Sequence, residues 1–244
     1  MMKKALALAL AVFAGLASAQ KVKSQKELDA IKAVQAATDP AGQMKAIENV
    51  LENFADTEFK PALLTMQVNA AVAMGDPAKV IVYGENALKT NPKDYQTQMS
   101  MAQAIVQSTK EFDLDKADKL KRAEKLAADG VANINAATKP NPAITDEQWM
   151  GFKKSFDAQG HELTGMIATL NKKWDDAVKE YEAALALDPQ VTTQVRLAGA
   201  YNSAGKPAEA AKMADQVLAT PNLNATVKQI AQGEKDKATK AMAK

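Results

Sequence analysis

The sequence predicts an all-α protein assembled from repeated helical hairpins, about five of them, with a further helix closing the end. Three observations lead there. Aromatic residues make up only 5% of the 244 positions, and β-branched residues are thin beside the abundant alanine, so propensity favours helix over strand. Proline and glycine fall between runs of apolar residues at helical spacing, where helices start and stop. The last third of the chain repeats itself at a shift of one hairpin. The remaining composition is that of a globular chain, 47% hydrophobic and 25% charged, too apolar for disorder and not apolar enough for many membrane spans. Cysteine is absent and His161 is the single histidine. A disulfide scaffold, a zinc finger, an iron–sulfur centre and a Cys–His nucleophile are thereby excluded, and no metal or cofactor is expected.

The chain opens with an export signal over residues 1–19. Lys3 and Lys4 supply a positive start, Ala5 to Leu16 an apolar stretch too short to cross a bilayer comfortably, and Ala17-Ser18-Ala19 a small-residue cleavage site. No cysteine follows, so lipid attachment is excluded. The mature protein is expected to begin at Gln20, in the periplasm or outside a bacterial cell, without a membrane span. Loss of Lys3 and Lys4 brings the 31 lysines and arginines level with the 29 acidic residues. Arg122 and Arg196 are the only arginines. A neutral chain with so little arginine lacks the basic stripe of a nucleic-acid reader.

Helix signals then follow in order. Ser24 and Glu27 form a capping box, and Asp39-Pro40 starts a second helix within a first unit, Ser24–Phe59. Leu64 to Pro92 is the next hairpin, with Gly75 at its turn and Asp76-Pro77 opening its second helix. Tyr95–Lys125 is a third unit, whose turn is lengthened through Glu111-Phe112-Asp113-Leu114.

The period is clearest further on. Gly165-Met166-Ile167-Ala168 aligns with Ala198-Gly199-Ala200-Tyr201, and the same shift carries Trp174 to Pro207, Ala177 to Ala210 and Leu185 to Leu218. A small residue, a turn, an alanine and a closing proline at this spacing mean antiparallel helix pairs stacked on one another. The segment Asn171 to Pro189 resembles the second half of a tetratricopeptide (TPR) repeat. Gly165 falls at the family's small position, Ala177 and Ala184 at its alanines, Tyr181 at its aromatic and Pro189 at its closing proline. The following repeat keeps Leu197, Ala198, Tyr201, Gly205, Ala210 and Pro221, with Ala214 in place of the aromatic. The upstream hairpin departs further, at Val68, Val80 and Gly84. The resemblance spans Ser24 to Pro221 and implies a right-handed α–α superhelix.

The period breaks between Ala127 and Thr145. A long helix from Lys116 to about Asn135 and a second from Asp146 to about Leu170 form an enlarged hairpin, joined by a loop with Lys139-Pro140-Asn141-Pro142. Thr145 and Gln148 make another capping box, and Trp149, Phe152 and Phe156 share one face. Asn224 caps a terminal helix carrying Val227, Ile230 and Ala231, which shields the end of the stack. The organisation is thus 1–19 signal peptide, 20–126 divergent repeats, 127–157 insertion and extended helix, 158–221 two well-matched repeats, and 222–244 capping helix and tail.

Motifs for chemistry are few. His161 has no partner set for a metal and reads as structural. Glu111, Asp113, Asp115 and Asp118 resemble the start of a calcium loop but lack its glycine and closing glutamate, so helix capping is the better reading. No phosphate loop or nucleophile elbow is present, and no enzymatic activity is expected. The resemblance implies a concave binding groove lined by the first helix of each hairpin. By register its positions are Thr65, Asn69 and Val72; Met99, Gln103 and Val106; Glu162, Met166 and Thr169; and Val195, Gly199 and Asn202. Glu162 is the single charge among them, so a peptide held by apolar and neutral polar contacts is expected. A carboxylate clamp like that of chaperone-binding relatives is not, since Asn69 alone has a matching type. The implied function is protein or peptide binding by a scaffold of the cell envelope. A structural subunit binding through its edges or ends is the alternative, and a glycan-binding or enzymatic protein a distant third.

Overall fold

The computed structural model describes residues 22–243. The signal-peptide expectation lies outside the described residues. Among the described residues there are eleven helices and no strand: α1 (Gln25–Ala36), α2 (Pro40–Asn53), α3 (Lys60–Ala73), α4 (Pro77–Thr90), α5 (Tyr95–Ser108), α6 (Lys116–Ala136), α7 (Asp146–Leu170), α8 (Trp174–Leu187), α9 (Val191–Ser203), α10 (Pro207–Leu218) and α11 (Ala225–Met242).

The starts that the sequence marks are made by the side chains it marks. Asp39 accepts from the Gly42 N–H at 2.8 Å, Asp76 from Lys79 N–H at 3.0 Å, and Asn224 from Thr226 N–H at 2.9 Å. Each satisfies one backbone donor that the first helical turn leaves over. The Thr145–Gln148 box is complete in both directions, at 3.1 and 3.0 Å. The Ser24–Glu27 box differs in one half. Ser24 caps the Glu27 N–H, but the Glu27 carboxylate accepts from Lys23 N–H at 2.6 Å, one residue ahead of the cap.

The helices gather into two compact units. Among the described residues the first comprises 22–109 and Ala128–Trp149, and the second Lys110–Ala127 and 150–243, so α6 and α7 each pass from one unit to the other. In the first unit successive helices from α1 to α5 pack on their neighbours, and α3 also touches α5. One cluster forms from Ile31, Val34, Ile47, Val50, Phe59 and Leu63, and another from Met44, Leu64, Val68, Val80, Ala87 and Ala104.

The departure at Gly84 is compensated from the next helix. Gly84 stands where Tyr181 stands in the later repeat, and a Cβ on it would lie 2.4 Å from Met101 Cγ. Met101 of the next helix, with no exposed surface, fills the space an aromatic would take. Core volume is conserved although the residue types are exchanged.

In the second unit α8 packs on α9, α9 on α10, and α11 on both α9 and α10. Tyr181, only 2% exposed, is the centre of a cluster with Ala168, Ala177, Val178, Leu197 and Ala200. Gly165 explains its own identity, because a Cβ there would come within 2.7 Å of the Tyr181 ring. Lys116 Nζ donates to the Leu170 carbonyl at 2.5 Å, tying the start of α6 to the end of α7. The terminal helix closes this unit: Val227 and Ala231 pack with Val195 and Val217.

Candidate functional site

Helix periodicity puts Arg196, Gly199 and Asn202–Ser203 of α9 on one face. Thr169 at the end of α7, Trp174 and Tyr181 of α8, and Glu234 and Lys237 of α11 surround that face. Together they line an open cleft of about 500 Å³ within the second unit. Two cations, one carboxylate, two aromatic rings and an amide converge there.

These groups are held in place by their neighbours. Arg196 Nε donates to Glu162 Oε1 at 3.0 Å, linking α9 to α7. Asn202 Nδ2 donates to the Glu234 carbonyl at 2.9 Å and to its carboxylate at 2.8 Å, fastening α11 to α9. Lys237 pairs with the other Glu234 oxygen at 2.7 Å. Thr169 Oγ1 donates to the Gly165 carbonyl and lies 3.1 Å from the Tyr181 hydroxyl. Burial pushes the Tyr181 phenol above its ordinary pKa, so the ring presents a neutral hydroxyl at physiological pH. Nearby, burial and then the Glu182 carboxylate it donates to do the same to Tyr201.

Of the residues expected by register in this unit, Thr169, Gly199 and Asn202 line the cleft, and Glu162 holds its arginine. Met166 is half-buried against the Tyr181 cluster. Val195 is a correction: it is 9% exposed, covered by the terminal helix that packs on α9, and has no surface to offer a ligand. The expectation of a nearly uncharged surface is also revised, because Arg196, Glu234 and Lys237 were not among the positions read by register. Arg196 was findable from its spacing of three to Gly199. The α11 residues were not, since nothing local says which face a terminal helix will cover.

In the first unit the expected residues separate. Val72, 49% exposed, and Gln103 line a smaller hollow of about 280 Å³ with Asp76, Pro77 and Ala104. Asn69 is half-buried, and Thr65 donates to Asp94, the buried cap of α5, so it bolts α3 to α5. Met99 and Val106 are the second correction: they are 4% and 2% exposed. Met99 and Val106 lie on the enclosed side of α5, which packs on α4 and has the Gly130 backbone of α6 close to Met99, and the stripe left open is Ser100, Gln103 and Gln107.

His161 is half-exposed, its Nδ1 2.7 Å from Glu180 Oε2, a link between α7 and α8. Glu111, Asp113 and Asp115 pair with lysines: Glu111 with Lys172, and Asp113 and Asp115 with Lys119. Among the described residues no group of three or more potential metal-ligating His, Cys, Asp or Glu side chains converges. None of the described helices is long and apolar enough to cross a membrane.

No family model and no curated protein matches the sequence. Among solved structures the chain is similar to a thermophilic TPR protein of Thermus thermophilus. The TM-score is 0.57 at 15% identity, covering 85% of this chain and 98% of that one. It is also similar to the assembly chaperone of RpL4, with a TM-score of 0.49 at 11% identity, covering 91% and 99% of the two chains. The first likeness carries the fold: this chain has the all-α, TPR-like helical-repeat architecture.

Proposed function

We propose that the protein is a non-enzymatic scaffold that binds a segment of another protein in the cleft formed by α7, α8, α9 and α11, and that it acts in the bacterial cell envelope after export. The observation that carries the reading is the convergence of Trp174, Tyr181, Arg196, Asn202 and Lys237 on one open cleft of about 500 Å³. Aromatic and arginine side chains are those that most often anchor protein interfaces, and the bonds of Arg196 to Glu162, of Asn202 and Lys237 to Glu234, and between Tyr181 and Thr169 hold them ready without large rearrangement. The open form suits an extended or helical peptide better than an enclosed small molecule. In the TPR-like fold the first helices of successive hairpins lie side by side, so α9 and α7 offer such a segment a continuous track.

A photo-crosslinking residue at Ser203, on the exposed wall of the cleft, tests this in envelope extracts. Crosslinks to a protein that disappear with Arg196→Glu support it, and partners that crosslink only from distant positions sink it. Export has its own test. The Lys3-Lys4, apolar, Ala17-Ser18-Ala19 order supports maturation at Gln20, and mass spectrometry of the native protein retaining Met1 or Met2 would exclude it.

A further inference from the structure

Two carboxylates are buried among the described residues, Glu27 at 1% and Asp94 at 8% exposure, and their surroundings differ. Asp94 is bonded at both oxygens. One accepts from the Gln96 and Thr97 N–H groups, the other from the Thr65 and Thr97 hydroxyls. Glu27 accepts a single bond, from Lys23 N–H to Oε2 at 2.6 Å. Its Oε1 is enclosed and accepts from no donor among the described residues. The side-chain cation beside it is committed elsewhere, since Lys23 Nζ bonds the Asp56 carbonyl at 2.6 Å and the Asp56 carboxylate at 2.7 Å. A buried carboxylate with one free oxygen and no paired cation is costly. The donor that relieves it most is one that itself carries positive charge.

The place of Glu27 in the chain points to that donor. It lies in the first turn of α1, and Val22, the first described residue, packs against the cluster to which Ile31 and Val34 of α1 belong. The chain is thus held beside α1 up to two residues from Gln20, where export leaves a new amino terminus. We propose that the α-ammonium freed at Gln20 by signal removal is the partner of Glu27 Oε1, so that maturation completes the first turn of the fold. The inference rests on the export reading. Gln20 stands three residues ahead of Lys23, whose N–H already bonds the other oxygen. Extended, that segment spans about 10 Å, and a turn brings residues three apart within roughly 7 Å, so the terminus reaches the carboxylate without displacing α1. With residues 1–19 attached, the Gln20 nitrogen is a neutral amide and brings no charge to Glu27.

The test is a double-mutant cycle in urea denaturation of the mature chain, made by cleaving a fusion directly before Gln20. One change leaves Ser18-Ala19 in front of Gln20, which displaces the ammonium. The other is Glu27→Gln, which keeps an acceptor for Lys23 N–H and removes the charge. The two added residues should lower the folding equilibrium constant about tenfold in the Glu27 chain. In the Glu27→Gln chain they should change it by less than about twofold. Equal effects in the two backgrounds overturn the proposal, and are the result if water or the Lys21 side chain serves Glu27 instead. A second readout uses the unaltered mature chain. An amino-terminal glutamine cyclises when its α-nitrogen attacks the side-chain Cδ; the new C–N bond forms as the amide C–N bond breaks, and ammonia leaves. A nitrogen held as ammonium by Glu27 cannot attack, so the folded chain should lose ammonia about tenfold more slowly than the chain in urea, followed by mass spectrometry. Equal rates overturn the proposal. Retention of Met1 or Met2 by the native protein overturns the export reading and this pairing together, whereas maturation at Gln20 without coupling to Glu27 overturns the pairing alone.

Discussion

Lys172 is the residue whose backbone pays most visibly for its position. At φ 58 it holds the left-handed conformation that Gly75, φ 67, and Gly205, φ 72, adopt without a Cβ. Lys172→Gly should therefore be more stable than Lys172→Ala by about 1 kcal/mol in urea denaturation, since both lose the pair with Glu111 and only one sheds the strain. Equal stabilities would mean the turn relaxes when the lysine leaves. Gly165 poses the opposite case. Alanine there gains helix propensity but drives a methyl to 2.7 Å from the Tyr181 ring, and Tyr181 is buried and cannot swing away. Gly165→Ala should cost about 1–3 kcal/mol. Gly84→Ala should cost less, because its close neighbour is the bendable Met101 side chain. Paired denaturation curves decide the order.

At the scale of the helix, the element that sequence reading places least well is α5. Its pattern marks Met99, Gln103 and Val106 as one stripe, but which stripe faces a groove depends on how many neighbours cover the helix. Eight of its fourteen residues are buried. Met99→Glu should consequently abolish cooperative folding or cost several kcal/mol, by leaving an unpaired carboxylate in the core. Gln103→Glu, at an exposed position of the same helix, should leave the melting temperature nearly unchanged. A folded, stable Met99→Glu protein would contradict the burial described for α5. Helix starts behave in the reverse way. Asp39, Asp76, Thr145 and Asn224 all cap as the sequence indicates, because a cap is a bond across two or three residues and needs no tertiary partner.

At the scale of the whole molecule, stability comes from stacked alanine, leucine and aromatic surface, and the sequence supplies no ligand cluster to add binding energy. A chelator should accordingly leave the melting temperature where it is, and a shift of several degrees would reveal a bound metal. The sequence by itself determined the helical class, the hairpin period, the turn and cap residues and the resemblance to TPR repeats. All of these are written in local spacing and in small residues at close approaches. Of the positions it read by register, Thr169, Gly199 and Asn202 fall in the two well-matched repeats, and these three line the cleft. Only the tertiary structure decided that Met99, Val106 and Val195 are core, that Met101 replaces an aromatic absent at Gly84, and that Glu234 and Lys237 of the terminal helix complete the cleft. The reason is physical. Burial and convergence depend on which helix lies against which, set by the summed packing of residues far apart in sequence, whereas a turn or a cap is settled by its immediate neighbours.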